Sequence, residues 1–390
     1  MSNNRHFTAI FITLVTILVV IIVYIMTVSE ADNIAINTSA LSKATGVRAT
    51  LGWLDDEGSV FRWEIMNDEV TEPQVLFSDE SALKYRVASR VNHSRSEILT
   101  IAVMNEMGDG QNLRLYDLIT GDISDIFTLP NRTSGQYDRY INSAVYLPNR
   151  KIIGYSTYLW DKEKEQARGL EVWEYDLDRG ISTLMADISG GIMSRAEVVG
   201  YTADAKNMVI YNYVADGNGL AAGEMSLLQR QNKVYSGTAW ENAREKFQTN
   251  LKGSGNGVFG YPYISPAGDV IAFVYSNIDI ENNSVLLYNL TTGTIREISV
   301  IEGKTGILPI WQDAWLFISQ GNAVETYNLL TNKKKYLLSV PNLEDYMLTV
   351  ATDVGVVVEK DDEFQLYLTG TESQITLPSS FNYEYLYLTK

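Results

Sequence analysis

The stretch VLLYNLTTG, residues 285–293, decides the fold because the chain contains several near-copies of it. In each copy an alternating or apolar run ends in tyrosine, and a turn with glycine or asparagine follows. Such alternation suits β-strands, and glycine and asparagine tolerate the positive φ of a tight hairpin. The copies are LRLYDLITG (113–121), VWEYDLDRG (172–180), VETYNLLTN (324–332) and the shorter FQLYLTG (364–370).

The spacing of these turns predicts a repeat unit. Gly293, Asn332 and Gly370 are separated by 39 and 38 residues. The interval between Gly180 and Gly293 is 113 residues and predicts a degenerate copy, for which MSLLQRQNKVYSG (225–237) fits. Periods of this length with several strands each are typical of a β-propeller rather than a sandwich.

A second pattern precedes the first in each unit. Its clearest copy is YISPAGDVIAFVYS (263–276), which reads as a strand, a Pro-Ala-Gly-Asp turn and a buried strand. Two hairpins supply four strands, which make one propeller blade. Weaker copies of this second pattern are VNHSRSEILTIAVM (91–104), VYLPNRKIIGYSTY (145–158) and GYTADAKNMVIYNY (200–213).

Counting these units predicts an all-β fold with a single β-propeller, of seven blades, with six or eight as the alternatives. The first unit is incomplete, and NYEYLYLTK (382–390) is a strand without a partner in its own unit. We therefore expect the last strand to pair into the first blade, which removes an exposed edge. The predicted units are 47–80, 86–131, 141–188, 195–238, 258–300, 304–341 and 346–378.

One unit resembles a known family. Ser265-Pro266-Ala267-Gly268-Asp269, followed by Ile271-Ala272-Phe273, is similar to the SPDG and IAF signature of TolB-like propellers. The Tyr-Asn-Leu-Thr-Thr-Gly hairpin that comes next is also similar to theirs, whereas Ala267 stands where the family usually has aspartate. The resemblance implies a β-propeller over residues 47–390, and its recognisable motif is confined to 258–300. Because many propellers share such phrases, it implies a fold rather than an activity.

The amino terminus predicts a membrane anchor. Residues 8–28, TAIFITLVTILVVIIVYIMTV, carry no charge, and a helix of that length rises roughly 30 Å, enough to cross a bilayer. The charges on either side place residues 1–7 in the cytoplasm and the rest outside by the positive-inside rule. Residues 29–46 then read as a linker to an extracytoplasmic propeller at 47–390. A signal peptide cleaved after Ala31 is the alternative, although the apolar run is longer than is usual for one.

Composition excludes several classes of function. The net charge of −17 makes nucleic acid an unfavourable partner. The absence of cysteine removes disulfides, thiolate zinc sites and thiol nucleophiles. The two histidines, His6 and His93, are too few for a multi-histidine metal centre, and only His93 could serve a catalytic triad.

No catalytic, cofactor-binding or metal-binding residue is predicted. His93 lies in a polar turn and reads as a loop residue. Two Asp- and Asn-rich segments, 216–219 and 277–282, carry oxygen ligands that suit calcium, but neither has the EF-hand spacing. The charged segment 161–169 reads as a solvated hairpin tip. Residues 238–251 predict a helix that packs an apolar stripe on the propeller, or alternatively docks a partner.

These features predict a membrane-anchored module that binds a protein, peptide or glycan partner, or acts as a scaffold, without catalysis. The alternative is a carbohydrate hydrolase or lyase that uses two carboxylates in the central funnel. A third possibility is a detached propeller resembling the gating domain of prolyl oligopeptidase-type peptidases. That activity needs a separate chain because no GxSxG nucleophile elbow is present.

Overall fold

A computed structural model gives the structure of the protein. It describes these residues: 47–55, 57–66, 69–78, 81–88, 97–104, 111–117, 122–129, 137–147, 151–161, 163, 166–187, 194–215, 221–230, 235–236, 257–259, 262–277, 282–302, 310–312, 315–361, 363–370, 374–377 and 383–389. Among them no helix is long and apolar enough to cross a membrane. The predicted anchor at 8–28, the linker at 29–46 and the predicted helix at 238–251 lie outside the described residues.

The described residues are almost entirely β-strands. The strands of the first half are β1 (Val47–Asp55), β2 (Ser59–Met66), β3 (Glu69–Val70), β4 (Gln74–Ser78), β5 (Lys84–Val87), β6 (Glu97–Val103), β7 (Gln111–Asp117), β8 (Ile123–Thr128), β9 (Tyr137–Leu147), β10 (Ile152–Asp161), β11 (Gln166–Asp176), β12 (Ile181–Asp187), β13 (Ser194–Tyr201), β14 (Asn207–Ala215), β15 (Ala221–Gln229) and β16 (Tyr235–Ser236).

The second half repeats the pattern. Its strands are β17 (Gly257–Phe259), β18 (Tyr263–Ile264), β19 (Val270–Asn277), β20 (Asn282–Asn289), β21 (Ile295–Glu302), β22 (Ile310–Gln312), β23 (Trp315–Gln320), β24 (Ala323–Asn328), β25 (Lys333–Ser339), β26 (Met347–Ala351), β27 (Gly355–Lys360), β28 (Glu363–Leu368), β29 (Gln374–Thr376) and β30 (Tyr383–Thr389). A short 3-10 turn, Leu343–Asp345, precedes β26.

The strands of the described residues form seven sheets, numbered here in chain order. Sheet 1 contains β30, β1, β2, β3 and β4, and sheet 2 contains β5–β8. Sheet 3 contains β9–β12 with β16, sheet 4 contains β13–β15, and sheet 5 contains β17–β21. Sheets 6 and 7 contain β22–β25 and β26–β29. Apart from the β12–β16 pair, neighbouring strands are antiparallel, as the hairpin repeat predicts.

Each sheet contacts the next one along the chain, and the last contacts the first. The contacts run mainly through the first strand of each sheet: β5 contacts β30, β9 contacts β13, β18 contacts β22, and β22 contacts β26. A final contact between β26 and β30 joins sheet 7 to sheet 1. A cyclic series of twisted antiparallel sheets is the architecture of a β-propeller.

The predicted closure of the first sheet by the end of the chain is confirmed. β30 pairs antiparallel with β1, with the register running from Thr50 opposite Thr389 to Asp55 opposite Tyr383. Sheet 1 therefore has its first strand from the carboxyl-terminal segment and its other strands from the beginning of the propeller. This pairing covers an edge of β1 that would otherwise present unpaired N–H and C=O groups.

Apolar side chains packed between neighbouring sheets make up the core. One cluster joins sheets 3 and 4 through residues such as Val172 and Ile210. Another joins sheets 7 and 1, where Val357 and Leu366 pack with Trp63. Because side chains alternate along each strand, one sheet can fill the core on both of its faces. Fully burying each such side chain contributes roughly 1.5–3 kcal/mol.

The repeated tyrosine hairpin forms the turn between the third and fourth strand of a sheet. The residue after the tyrosine fastens it, since its side-chain oxygen accepts N–H bonds of 2.8–3.0 Å from two turn residues, in an Asx-turn. The fastening residues are Asp176, Asn289 and Asn328. Positive φ angles of 67°, 69° and 56° occur at Gly180, Gly293 and Asn332, as the sequence predicts.

The turns define two ends of the structure. The turns from first to second strand and from third to fourth strand lie at one end, which we call the entry end, because β1 begins there at Val47. Hydrogen bonds between turns of adjacent sheets align these ends: Ala203 N donates to Gly268 O, and Arg296 Nη1 donates to Asn332 Oδ1. The hairpins between second and third strands, such as that after Gln320, lie at the opposite end.

The predicted degenerate copy at 225–237 is not a hairpin of sheet 4. Residues 225–229 belong to β15, but β16 pairs with β12 of sheet 3, in parallel, with Ala186 opposite Tyr235. Among the described residues, sheet 4 therefore has three strands, and sheet 3 gains a fifth. β10 and β11 pair as far as Asp161 opposite Gln166, so a hairpin is present at 161–169, but Asp161 is buried rather than solvated.

Candidate functional site

Glu171 on β11 lies at the centre of a buried polar network on sheet 3. Its exposed fraction is 7%. Arg139 on β9 binds both carboxylate oxygens, with Nε 2.7 Å from Oε2 and Nη2 2.9 Å from Oε1. Thr157 Oγ1 and Trp173 Nε1 also donate to Oε2, each at 3.1 Å. With both oxygens occupied by protein donors, this carboxylate fastens three strands together.

Hydrogen bonds to the first strand of sheet 3 hold it against sheet 2. Arg86 Nη2 donates to Ile141 O, and Ile141 N donates to Gln111 Oε1 at 2.7 Å. Ala144 N donates to Ala88 O at 2.8 Å. These bonds fix the spacing of two neighbouring first strands, which is the part of a propeller that borders the central channel.

An aromatic row fills the space beside this network. Phe127 lies 4.9 Å from both Tyr155 and Tyr175, measured between ring centroids. Tyr155 OH donates to Ser182 Oγ at 2.9 Å. Burial raises the pKa of Tyr155 to about 12, and the hydrogen bond to Ser182 opposes part of that rise. The row therefore packs sheets 2 and 3 together and keeps the phenol of Tyr155 neutral.

A second, partly buried ion pair joins sheets 3 and 4. Glu174 Oε1 lies 2.6 Å from Arg230 Nε, and Arg230 Nη1 donates to Ala205 O at 2.9 Å. The buried phenol of Tyr201 lies beside this pair. Its pKa is raised well above its ordinary value, first by burial and then by the negative charge of Glu174.

Two further buried carboxylates stabilise turns by accepting hydrogen bonds from backbone N–H groups. Asp55 Oδ1 accepts from Glu57 N at 3.1 Å and from Ser59 N at 2.7 Å. Asp161 Oδ1 accepts from Glu163 N at 3.1 Å. In the described part of the chain, no group of three or more histidine, aspartate or glutamate side chains is placed to hold a metal ion.

A groove between sheets 6 and 7 is the candidate binding surface. Its volume is about 440 Å³, and one wall is β25, the fourth strand of sheet 6. Tyr336 on this wall is 56% exposed, and Tyr367, on β28 of sheet 7, donates its hydroxyl to Gln365 at 3.0 Å. Aromatic and aliphatic walls with a few polar groups are typical of ligand pockets. The lining residues are Tyr336, Leu337, Leu338, Ser339, Pro341, Tyr367, Leu368, Gly370 and Gln374.

The structure describes few of the positions weighed in the sequence. His93, the segment 216–219 and residues 278–281 fall outside the described residues. Asn277 and Asn282 are the last and first residues of β19 and β20 and pair across the hairpin. The groove was not predicted, because its walls come from two repeat units that only the tertiary structure brings together.

No protein-family model matches the chain, and no curated protein matches it. Solved structures do show similarity. TolB from Acinetobacter baumannii is 13% identical, with a TM-score of 0.40, over 76% of this chain and 66% of that one. An oligogalacturonate lyase in complex with manganese is 10% identical, with a TM-score of 0.49, over 85% and 91%. The β-propeller domain of the Trilobed protease from Pyrococcus furiosus is 11% identical, with a TM-score of 0.41, over 84% and 93%.

The class of the protein follows from its own sheets. A cyclic series of antiparallel sheets, closed by pairing of the two ends of the described chain, defines a β-propeller protein. The sequence resemblance to TolB-like propellers agrees with this class.

Proposed function

We propose that the chain is a membrane-anchored, extracytoplasmic β-propeller of seven blades that binds a protein, peptide or glycan partner without catalysis. The observation that carries the binding role is the groove between sheets 6 and 7, with the exposed Tyr336 on its wall. The non-catalytic role is supported by the buried carboxylates Glu171 and Glu174, which are held by arginine.

The seven blades correspond to the seven sheets of the described residues. Their contacts run in chain order and return from β26 to β30. Among the described residues, sheet 4 has three strands and sheet 3 has five, because β16 pairs with β12.

The anchor is residues 8–28, with 1–7 in the cytoplasm and 29–46 as a tether. It is supported by the uncharged apolar run and by the distribution of charges around it. Protease added to intact cells is expected to degrade the chain after Val28 and to spare an epitope tag fused before residue 8. Protection of the propeller would overturn the orientation.

A photo-crosslinking amino acid at position 336 tests the binding role in intact membranes. We expect a discrete crosslinked species from Tyr336 and none from the matched control position Val75, which is 60% exposed on β4 of sheet 1. If the chain is instead a carbohydrate hydrolase or lyase, we expect the opposite outcome. The absence of a specific crosslink from position 336, together with turnover of a glycan panel by the purified chain, would replace the binding role with that activity.

A further inference from the structure

The turn between β24 and β25 presents a large apolar side chain at its most exposed residue. Leu330 is 82% exposed, more than any other large apolar side chain among the described residues. The equivalent positions in three of the copies are Asp178, Thr291 and Ile119, so one other repeat also has an apolar residue here. The apolar residue alone is therefore not peculiar to this turn, and the charge beside it is what distinguishes the turn from its copies.

Three consecutive lysines follow this leucine. Lys333–Lys335 begin β25 and are exposed, in a chain whose net charge is −17. The equivalent residues are Ile181–Thr183 in sheet 3 and Thr294–Arg296 in sheet 5, so only sheet 6 of these carries three cations. Lys334 forms an ion pair with Glu325 on the facing strand at 3.6 Å, and Arg296 of the neighbouring sheet adds a further positive charge beside the turn, where it bonds to Asn332.

The turn holds the leucine in a fixed position. Asn328 Oδ1 accepts from Leu330 N at 3.0 Å and from Thr331 N at 2.9 Å. Asn332 Oδ1 accepts from Arg296 Nη1 at 2.8 Å and from Tyr327 OH at 3.1 Å. Presenting Leu330 to the outside therefore requires no rearrangement.

The turn lies at the entry end. Third-to-fourth turns share that end with the first residues of β1, so the chain enters the propeller at Val47 on the same side as Leu330. If residues 8–28 span a bilayer, this end is the one from which the tether leads to the membrane. A tether of 18 residues extends to at most roughly 60 Å, which permits direct contact with the bilayer.

We propose that Leu330 and Lys333–Lys335, which we call the basic corner, dock on anionic phospholipid headgroups of the membrane. This inference rests on the proposed anchor and gives the propeller an orientation on the bilayer. The lysines are attracted to the negative surface, and the leucine enters the boundary between headgroups and acyl chains. Lysines alone also protect an edge strand from aggregation, but that role does not explain the exposed leucine beside them.

The chain has no cysteine, so a single-cysteine variant can report on the corner in the full-length protein. Leu330→Cys is labelled with an environment-sensitive dye and reconstituted into phosphatidylcholine vesicles, with or without phosphatidylglycerol. We expect the emission of the dye to shift to the blue, and to be quenched by spin-labelled lipid, only in vesicles that contain phosphatidylglycerol and only at low salt. The matched control is Asn322→Cys in the hairpin at the opposite end of the same sheet, for which we expect neither change.

Charge reversal tests the lysines. Each lysine near an anionic surface contributes about a fivefold bias, so Lys333→Glu with Lys335→Glu should lower the ratio of docked to undocked protein by more than about 25-fold. Lys360→Glu, at the opposite end, should leave the ratio unchanged. A chain that floats with the vesicles but shows no dye response overturns the docking alone. A chain that does not float with them overturns the anchor and the docking together.

Discussion

At the scale of single residues, buried charge stabilises the junctions between sheets. Glu171 lies among Arg139, Thr157 and Trp173, which donate to both of its oxygens. A carboxylate that is already engaged in this way is poorly suited to act as a base, because proton transfer would release several bonds at once. The sequence shows the acidic residue but not its partner, since Arg139 lies 32 residues away on another strand.

Substitution of Glu171 by glutamine tests this structural role. The change keeps the shape but leaves Arg139 as an unpaired buried charge, so we expect the free energy of unfolding to fall by about 3 kcal/mol. The matched control is Asp178→Asn, which breaks the exposed pair with Lys151 and should cost less than about 0.5 kcal/mol. Urea unfolding of the detergent-solubilised chain measures both. Equal losses of unfolding free energy from the two substitutions would contradict the structural role of Glu171.

At the scale of elements, turn chemistry sets where each hairpin bends. The turn between β18 and β19 is closed by Ser265, whose hydroxyl donates to Asp269 and accepts from Val270 N at 3.1 Å. Gly268 has a φ of 72° and lies against the backbone of the neighbouring sheet. The same turn therefore bends one hairpin and fixes its distance to the next.

Alanine substitutions separate these two roles of glycine. In Gly268→Ala the new Cβ would lie 2.6 Å from Tyr201 O and 2.8 Å from Ala203 N, both backbone atoms. We expect a loss of about 3 kcal/mol from positive φ and overpacking together. Gly370 has a φ of 77° with nothing within 4 Å, so Gly370→Ala should cost only about 1 kcal/mol. Thermal or urea unfolding compares the two, and a larger loss at Gly370 would contradict the contact between turns.

At the scale of the whole molecule, pairing of β30 with β1 closes the series of sheets. Neighbouring sheets pack on one another through apolar clusters, so each blade is stabilised by the two beside it. Opening the ring at one point removes a strand and also weakens the contact between sheets 7 and 1, where β26 meets β30.

Truncation after residue 382 tests the closure. Each backbone hydrogen bond lost costs about 1 kcal/mol, and β1 becomes an edge that can pair with another chain. We expect a lower urea midpoint and oligomers in size-exclusion chromatography, with monomer restored by a synthetic peptide of residues 382–390. Deletion of residues 1–7 is the control and should change neither the urea midpoint nor the oligomeric state. A monomeric truncated chain with an unchanged midpoint would show that closure does not depend on β30.

The sequence by itself determined the all-β class, most boundaries of the repeat units and the terminal strand that completes sheet 1. These features follow from local signals: a period-two apolar pattern, and turn residues such as Gly293 and Asn332 whose φ must be positive. Only the tertiary structure decided that β16 pairs with β12 and that Tyr336 and Tyr367 line the same groove. Pairing at the outer edge of a blade, and grooves between blades, depend on side chains far apart in the chain, and no local periodicity encodes them.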